Sequence, residues 1–235
     1  EYALNESGLE PVAVQHHHAH AVSCMAEHHL DSEVVAVTLD GTGYGTDGRI
    51  WGGEVMVCTL SGFERKAHLE YIPMPGADAA VKEPWRMAAS WLNRVYGDGF
   101  LDLDIPMVSR IEREKLVFVK KMADRQVNSP LTSSAGRLFD AISSMLGIRH
   151  AVTFESQGAM ELENAAEGTV CEESYPFEIE EQSGETGYVI TAAPMIDAIV
   201  QDILQKRDTA RISAAFHAAV IDMFVEAACR VCADT

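Results

Sequence analysis

The chain has 235 residues, 47% of them hydrophobic, which is enough to fill the core of one large domain or two lobes. Its 36 acidic and 18 basic residues give a formal net charge of -18, which disfavours non-specific binding to nucleic acid or anionic membranes. The five cysteines are scattered and odd in number, which is typical of a reducing, cytoplasmic setting. No apolar run is expected to approach the roughly 18 residues of a membrane span, and no signal-peptide pattern opens the chain.

The predicted elements alternate between strands and helices along the chain. A helix is expected over about 16–28, followed by a buried β-branched strand over 33–40. A glycine-rich loop over 40–48 joins it to a second strand. The later predicted elements are a strand over 63–71, a helix from 84, a loop over 97–110, helices over 110–124 and 138–146, a helix opening within 153–163, an acidic excursion with short strands over 169–190, and helices over 193–206 and 209–233. This alternation predicts an α/β fold in layers.

Histidines dominate the start of the first helix, where they occupy four of the five positions 16–20. On a helix His16 and His20 stand at i and i+4, so both imidazoles leave one face and can meet one ion. Metalloproteases with this spacing need a Glu directly after the first His, and His17 stands there instead. Two histidines are an incomplete metal site, so a carboxylate is required, and Asp40 at the end of the first strand offers one.

The segment that follows Asp40 carries glycines at alternate positions, which let backbone amides approach an anion closely. An Asp-Gly pair alone favours a plain hairpin turn. The histidines upstream and the additional glycines favour a phosphate-binding loop instead. Its predicted residues are Gly41, Thr42, Gly43, Tyr44 and Gly45.

Three further features have a functional and an ordinary interpretation. Asp140 falls on the apolar side of the helix over 138–146, which is costly without a partner. Ribose hydroxyls would be such a partner, and a solvent-facing aspartate is the ordinary alternative. His217 is interpreted as a packing histidine. Cys229 and Cys232 have the spacing of a metal or redox pair, but no second pair accompanies them, so an incidental role is favoured.

Six sequence blocks, in this order, resemble the Kae1-like domain of the HypF carbamoyltransferases, which mature nickel–iron hydrogenases. The blocks are VQHHHAHA (14–21), LDGTGYG (39–45), WGGE (51–54), KEPWRM (82–87), TSSAGRLFDA (132–141) and Phe154-Glu155. The resemblance extends from about residue 10 to 220. It implies an ASKHA fold, the actin-like arrangement of two α/β lobes around a nucleotide, here with a first lobe over about 1–75 and a helical insert and second lobe over about 76–235.

The resemblance also implies a reaction. In this family a separate YrdC-like domain converts carbamoyl phosphate and ATP into carbamoyl-adenylate. The Kae1-like domain then transfers the carbamoyl group to the C-terminal cysteine of a partner, HypE, and the product becomes a cyanide ligand of iron. The nucleophile comes from the partner, so this chain needs no catalytic Ser or Cys.

The same resemblance assigns site residues. His16, His20 and Asp40 match the family's metal ligands, which suit iron or zinc better than magnesium, an ion that could still accompany the nucleotide. The segment from Gly41 to Gly45 matches the part facing the nucleotide phosphates. Asp140 matches the ribose contact, and Gly136, Glu155 and Gly158 are the other residues assigned to nucleotide binding.

The chain departs from the family pattern at two positions where the family tends to have glycine. Ser156 and Ala77 occupy these positions. The chain is also expected to be a fragment, because the family's acylphosphatase, zinc-finger and YrdC-like segments and its C-terminal stretch, which carries another acidic metal ligand, are absent. It is therefore expected to be inactive alone, although the parent enzyme is active.

Three alternatives stay open at this point. A tRNA threonylcarbamoyltransferase shares the fold, although the net charge of -18 and the triple histidine disfavour it. An O-carbamoyltransferase acting on a small-molecule hydroxyl is a second alternative. A non-catalytic metal- or nucleotide-binding module is the third.

Overall fold

The computed structural model describes residues 6, 8–10, 12–170, 172–182 and 187–235. Cys171 and residues 183–186 of the predicted acidic excursion lie outside the described residues. Within them the chain alternates strands and helices, as the sequence predicts. In order, the elements are α1 (His16–Glu27), β1 (Val34–Tyr44), β2 (Ile50–Cys58), β3 (Phe63–Leu69), β4 (Ile72–Pro73), α2 (Asp78–Lys82), α3 (Trp85–Tyr96), a 3-10 helix (Gly97–Asp102), α4 (Pro106–Arg110), α5 (Arg113–Asp124), β5 (Leu131–Thr132), α6 (Ala135–Met145), α7 (Gln157–Ala166), β6 (Glu178–Gln182), β7 (Gly187–Thr191), α8 (Ala193–Leu204) and α9 (Thr209–Asp234).

A mixed sheet forms the centre of the described part of the chain. Its strands run in the order β4-β5-β2-β3-β7-β6, and β1 pairs with β2. The pairs β1–β2, β2–β3 and β6–β7 are antiparallel, whereas β3 and β7 are parallel. The predicted division into two lobes near residue 75 stays a prediction, since β5 and β7, which follow that point, join the same sheet as β1 to β3.

The two faces of the sheet are covered differently. Val55 and Val57 of β2 belong to the main core, together with buried residues of α3, α6, α8 and α9. Their neighbours Met56 and Cys58 point to the opposite face, because side chains alternate along a strand. There they form a smaller cluster with Met25 of α1. Helix α1 is therefore fixed to the sheet by apolar contacts, which leaves its other side free.

The glycine-rich segment is not the loop that the sequence predicts. Residues Gly41 to Tyr44 continue β1, with an irregularity between Leu39 and Gly43 where the register with β2 shifts. The chain reverses over 45–49 instead, where Gly48 adopts a positive φ of 76°. A bulge of this kind bends a strand and re-aims its side chains, and Asp40 lies within it.

Two other predicted loops contain regular structure. The segment 97–110 holds the 3-10 helix and α4, where Pro106 occupies the first helical turn. The sequence also predicts a loop over 72–76, after the strand over 63–71, and this segment begins with β4, which pairs with β5.

Helix α9 is long and apolar enough, by length and composition, to cross a membrane, which corrects the expectation that no segment approaches such a span. Half of its apolar window is buried, however. Phe216, Met223 and Ala227 of α9 lie in the main core. This is the behaviour of a core helix.

Candidate functional site

Helix α1 presents His16 and His20 side by side on its open face. Gln15 caps the helix, since its Oε1 accepts a hydrogen bond from the backbone N–H of His18 at 2.8 Å. The side chains of His16 and His20 are 48% and 59% exposed, so molecules from solvent can reach both rings. The predicted i, i+4 pair is therefore formed, and it is accessible.

Asp40 of β1 forms a cluster with this pair of histidines. Its Oδ2 lies 2.9 Å from Nε2 of His16 and 3.5 Å from Nε2 of His20, and the two Nε2 atoms are 3.2 Å apart. Ligand atoms at about 2.0–2.1 Å from one tetrahedral ion stand roughly 3.3–3.4 Å apart. The three separations therefore suit a single shared ion. Within the described residues, this is the cluster of His, Cys, Asp and Glu side chains with metal-binding spacing.

The chemistry of these three atoms favours a cation over a hydrogen-bond network. If Nε2 of His16 donates a proton to Asp40, it has no lone pair left for Nε2 of His20. A shared cation would instead use the lone pairs of both nitrogens and of the carboxylate. Burial by itself would raise the pKa of Asp40, but the backbone N–H of Gly41 and the ring of His16 hold that pKa below its usual value. Asp40 is therefore ionised at neutral pH, as a ligand must be.

His17 is a residue of this site that the sequence did not single out. It leaves α1 on the buried side, with a fully buried side chain. Its Nε2 is 3.7 Å from Oδ2 of Asp40, and its Nδ1 is 3.7 Å from Oε2 of Glu54. Its ring stacks on Trp51, with centroids 6.4 Å apart and planes 14° apart. Burial lowers the pKa of His17 to about 4, so the imidazole is neutral.

Glu54 of β2 continues this buried polar array. Its Oε1 accepts a hydrogen bond from Oγ of Ser133 at 2.6 Å and lies 3.4 Å from Nη2 of Arg65. Burial raises the pKa of Glu54 to about 7, even though Arg65 opposes the shift. The Arg65 guanidinium also lies 4.0 Å from the centroid of the Trp51 ring. The array thus links the candidate metal ligands to the interior of the sheet.

The N-terminus of α6 lies directly against the bulged part of β1. Oγ of Ser134 donates to the backbone oxygens of Asp40 and Gly41, at 2.7 and 2.9 Å, and accepts from the N–H of Arg137 as the helix cap. A Cβ added to Gly136 would lie 2.9 Å from Cα of Gly41, so the close approach requires glycine. A helix N-terminus with free backbone N–H groups favours anions. The structure thus brings the predicted nucleotide residues Gly41 and Gly136 together, next to Asp40.

Asp140, one turn of α6 after Gly136, lies close to Gly158 at the start of α7. Asp140 is buried, and its Oδ2 lies 3.1 Å from Nη1 of Arg137. A Cβ placed on Gly158 at the start of α7 would stand 3.1 Å from Oδ1 of Asp140. Burial raises the pKa of Asp140 to about 6. Asp140 is thus the buried, poorly solvated aspartate that the sequence predicts, with Arg137 as a partner that the sequence missed.

The remaining predicted nucleotide residues are placed differently. Gly43 packs on the His17 ring, since a Cβ there would lie 2.4 Å from Cε1. Gly45 packs on the indole of Trp51, since a Cβ there would lie 2.2 Å from Nε1. Thr42, Tyr44 and Glu155 are exposed. A nucleotide role for these five residues stays a prediction.

Two side features agree with their ordinary interpretations. His217 bonds through Nδ1 to the backbone oxygen of Ser213 at 2.7 Å and makes ring contacts with Phe139, so it is a packing histidine. Cys229 and Cys232 are free and exposed on α9.

Comparison with known proteins agrees with this fold. A family model described as "Carbamoyltransferase, Kae1-like Domain, second subdomain" matches residues 36–235. A carbamoyltransferase HypF homolog of Cupriavidus necator is 37% identical over 216 residues, which cover 91% of this chain and 54% of that protein. The carbamoyltransferase HypF of Synechocystis is 34% identical over 238 residues, which cover 96% of this chain and 30% of that protein.

Solved structures agree with the sequence relatives. A crystal structure of full-length HypF in the phosphate- and nucleotide-bound form superposes with a TM-score of 0.88 at 38% identity, covering 99% of this chain and 36% of that one. The crystal structure of T. kodakarensis HypF gives a TM-score of 0.82 at 32% identity, covering 95% of this chain and 29% of that one.

The fold and the match define the class as a Kae1-like domain of the ASKHA type, as the sequence predicts. The chain belongs to the HypF carbamoyltransferase family. It spans about a third to a half of the length of the two relatives described above.

Proposed function

We propose that this chain forms the carbamoyl-transfer centre of a HypF-type enzyme. In this role it would move the carbamoyl group of carbamoyl-adenylate to the C-terminal cysteine thiolate of a HypE-type acceptor, a step in making the cyanide ligands of nickel–iron hydrogenase. The observation that carries the proposal is the convergence of His16, His20 and Asp40 beside the N-terminus of α6. A metal site and an anion site that share Asp40 and Gly41 suit an acyl phosphate substrate.

His16, His20 and Asp40 would hold the metal ion. Two imidazoles and a carboxylate fit iron or zinc, and two nitrogens disfavour magnesium. When bound, such an ion supplies Lewis-acid polarisation of the acyl group and charge stabilisation for the departing phosphate. Because both histidines are about half exposed, a partner's cysteine can approach from solvent.

The nucleotide would lie along the surface from Gly41 to Gly158. The N–H groups at the start of α6 would face the phosphate, and the Arg137–Asp140 pair would face the ribose hydroxyls. The solved nucleotide-bound HypF structure, 38% identical, supports a nucleotide in this family. Any magnesium would accompany the nucleotide phosphates.

The transfer itself needs no nucleophile from this chain. The acceptor thiolate would attack the carbamoyl carbon, forming an S–C bond as the bond from carbon to the phosphate oxygen breaks and AMP leaves. The chain's own residues would bind and orient the adenylate. Family membership favours this reaction over the O-carbamoyl and tRNA alternatives, and the acidic net charge of -18 also disfavours tRNA. A cytoplasmic location is part of the same proposal.

The proposal can be tested in a chimera. Residues 12–235 replace the corresponding segment of Synechocystis HypF, and the chimera is incubated with carbamoyl phosphate, ATP and a HypE-type acceptor. Intact-mass analysis should show carbamoylation of the acceptor's terminal cysteine, which the His16→Ala/His20→Ala chimera should lack. A folded chimera that binds nucleotide and acceptor but transfers nothing would contradict the proposal.

A further inference from the structure

We propose that His17 is a positioning residue that holds the Asp40 carboxylate in place for the metal centre, and that Gln15 and Glu54 hold His17 in the orientation this requires. The inference rests on the proposed metal centre and deepens it. It assigns a role to His17, the middle one of the three consecutive histidines, whose side chain is buried and does not point towards the open face of α1.

The first step concerns the two oxygens of Asp40. Oδ1 accepts a hydrogen bond from the backbone N–H of Gly41 at 2.6 Å. Oδ2 is the atom that faces His16 and His20, and it also faces Nε2 of His17 at 3.7 Å. A carboxylate oxygen has two lone pairs. One can serve a cation on the exposed side, and the other can accept from His17 on the buried side.

The second step concerns the tautomer of His17. Oε1 of Gln15 accepts from the backbone N–H of His18 at 2.8 Å, which fixes the orientation of the amide. Its Nε2 therefore faces the backbone oxygen of Tyr44 at 3.4 Å and Nδ1 of His17 at 3.3 Å. An amide nitrogen only donates, so Nδ1 must be the acceptor of the His17 ring. The proton then resides on Nε2, directed towards Asp40.

The third step concerns the atoms that lack partners. Nε2 of His17 and Oε2 of Glu54 are both buried and without a hydrogen bond among the described residues. A buried donor without a partner is destabilising, because it has lost its hydrogen bonds to water. At 3.7 Å the contact with Asp40 is longer than a hydrogen bond, but a shift of less than about 1 Å would close it. Oε2 of Glu54 lies 3.7 Å from the unprotonated Nδ1, so Glu54 supports this side of the ring as an O–H donor, in the protonated form that its burial favours.

The fourth step concerns how the ring is held. It stacks on Trp51 on one side, and Gly43 approaches it so closely that a Cβ there would lie 2.4 Å from Cε1. The imidazole thus has little freedom to rotate away from Asp40. Hydrogen bonds to a metal-ligating carboxylate typically contribute about 10–100-fold to metal affinity.

The experiment measures zinc and iron(II) affinity of the chain by competition with a chelator. His17→Phe keeps a ring against Trp51 but has no hydrogen-bond donor. His17→Asn carries its amide at the position of Nδ1, and its side chain is too short to reach Asp40. Both should bind metal about tenfold or more weakly. His17→Gln places an amide N–H at the position of Nε2 and should stay within about threefold of wild type.

His18→Gln is the matched control. His18 is also buried on α1, but its Nε2 contacts the backbone oxygen of Thr59 at 2.9 Å, away from Asp40. The metal affinity of the His18→Gln variant should equal that of the wild type. Equal affinity of wild type, His17→Phe and His17→Asn would overturn the positioning role, as would a His17→Gln variant as weak as His17→Phe.

A second readout does not depend on metal. Nitrogen-15 NMR of the wild-type chain should show His17 protonated on Nε2 and unprotonated on Nδ1, and protonation on Nδ1 alone would overturn the proposal. If the wild type bound neither zinc nor iron, the proposed metal centre would be wrong, and the tautomer would still show whether His17 directs its proton towards Asp40. The two failures are therefore distinguishable.

Discussion

Arg137 and Asp140 form an ion pair one turn apart on α6, with Nη1 and Oδ2 3.1 Å apart and both side chains at most 5% exposed. Neither of these two atoms has a well-directed hydrogen bond among the described residues. Buried polar groups normally have such bonds. Both atoms are closed to solvent, so ribose hydroxyls would supply these bonds only once the pair opens, and the ribose contact of Asp140 stays a prediction.

Asp140→Ala should therefore weaken the binding of ATP and AMP. Loss of a hydrogen bond to a charged group corresponds to roughly 1.5–3 kcal/mol, or about 10–100-fold in affinity. Calorimetric titration of the folded variant measures this, with Asp222→Ala on the exposed face of α9 as the charge-matched control. Unchanged nucleotide affinity in Asp140→Ala would exclude Asp140 as a nucleotide contact.

Glu54 should make stability depend on pH. Its pKa is about 7 in the folded chain against 4.5 ordinarily, so the folded state binds more protons between these values. The contribution of Glu54 to stability is therefore lost as pH rises from about 4.5 to about 7, on the order of 3 kcal/mol in all.

Glu54→Gln mimics the protonated form and should remove this loss. In urea unfolding, the variant should match the wild type at pH 4.5 and exceed its free energy of unfolding by a few kcal/mol at pH 8. His17 contributes in the opposite direction, since its pKa of about 4 makes stability rise with pH, and it is present in both proteins. A difference that does not change with pH would show that Glu54 is not kept protonated by burial.

The sequence and the structure agree best where a local rule applies. His16 and His20 meet because a helix places i and i+4 on one face. Asp40 lies 24 residues from His16, and its approach was anticipated because a strand-end carboxylate was the ligand that the pair still required. Local periodicity likewise predicts most helices and strands.

The disagreements depend on tertiary contacts. The bulge at Asp40 follows from pairing with β2 and from contact with the start of α6, neither of which is visible in the local glycine pattern. The role of His17 depends on Glu54 and Trp51 of β2, and Glu54 in turn depends on Ser133, 79 residues away. Alternating glycines suggested a phosphate loop, but Gly43 and Gly45 also have packing reasons that only the structure reveals.

The two departures from the family's glycines coincide with strained backbone. Ser156 has a φ of 62°, and Ala77 has a φ of 48° with ψ of -112°. A side chain with a Cβ is disfavoured at such angles by about 1–2 kcal/mol. Ser156→Gly and Ala77→Gly should each raise the free energy of unfolding by roughly 0.5–1 kcal/mol, since glycine's greater unfolded-state entropy offsets part of the relief.

The matched control is Ala198→Gly in the interior of α8, where φ is helical and glycine should cost about 1 kcal/mol. Thermal and urea unfolding of the three variants give the comparison. If Ser156→Gly and Ala77→Gly lowered the free energy of unfolding by as much as Ala198→Gly, the backbone at positions 156 and 77 would not be strained.

The most direct test of the central claim is metal analysis of the purified chain after equilibration with zinc or iron(II), with and without ATP. The wild type should hold about one ion per chain, and His16→Ala/His20→Ala should hold none. The control variant His28→Ala/His29→Asn changes two exposed histidines after α1 and should bind metal like the wild type. Asn is used at position 29 because that residue has a φ of 55°, which Asn tolerates. Equal metal content in all three proteins, or none in the wild type under any of these conditions, would contradict a metal centre at His16, His20 and Asp40.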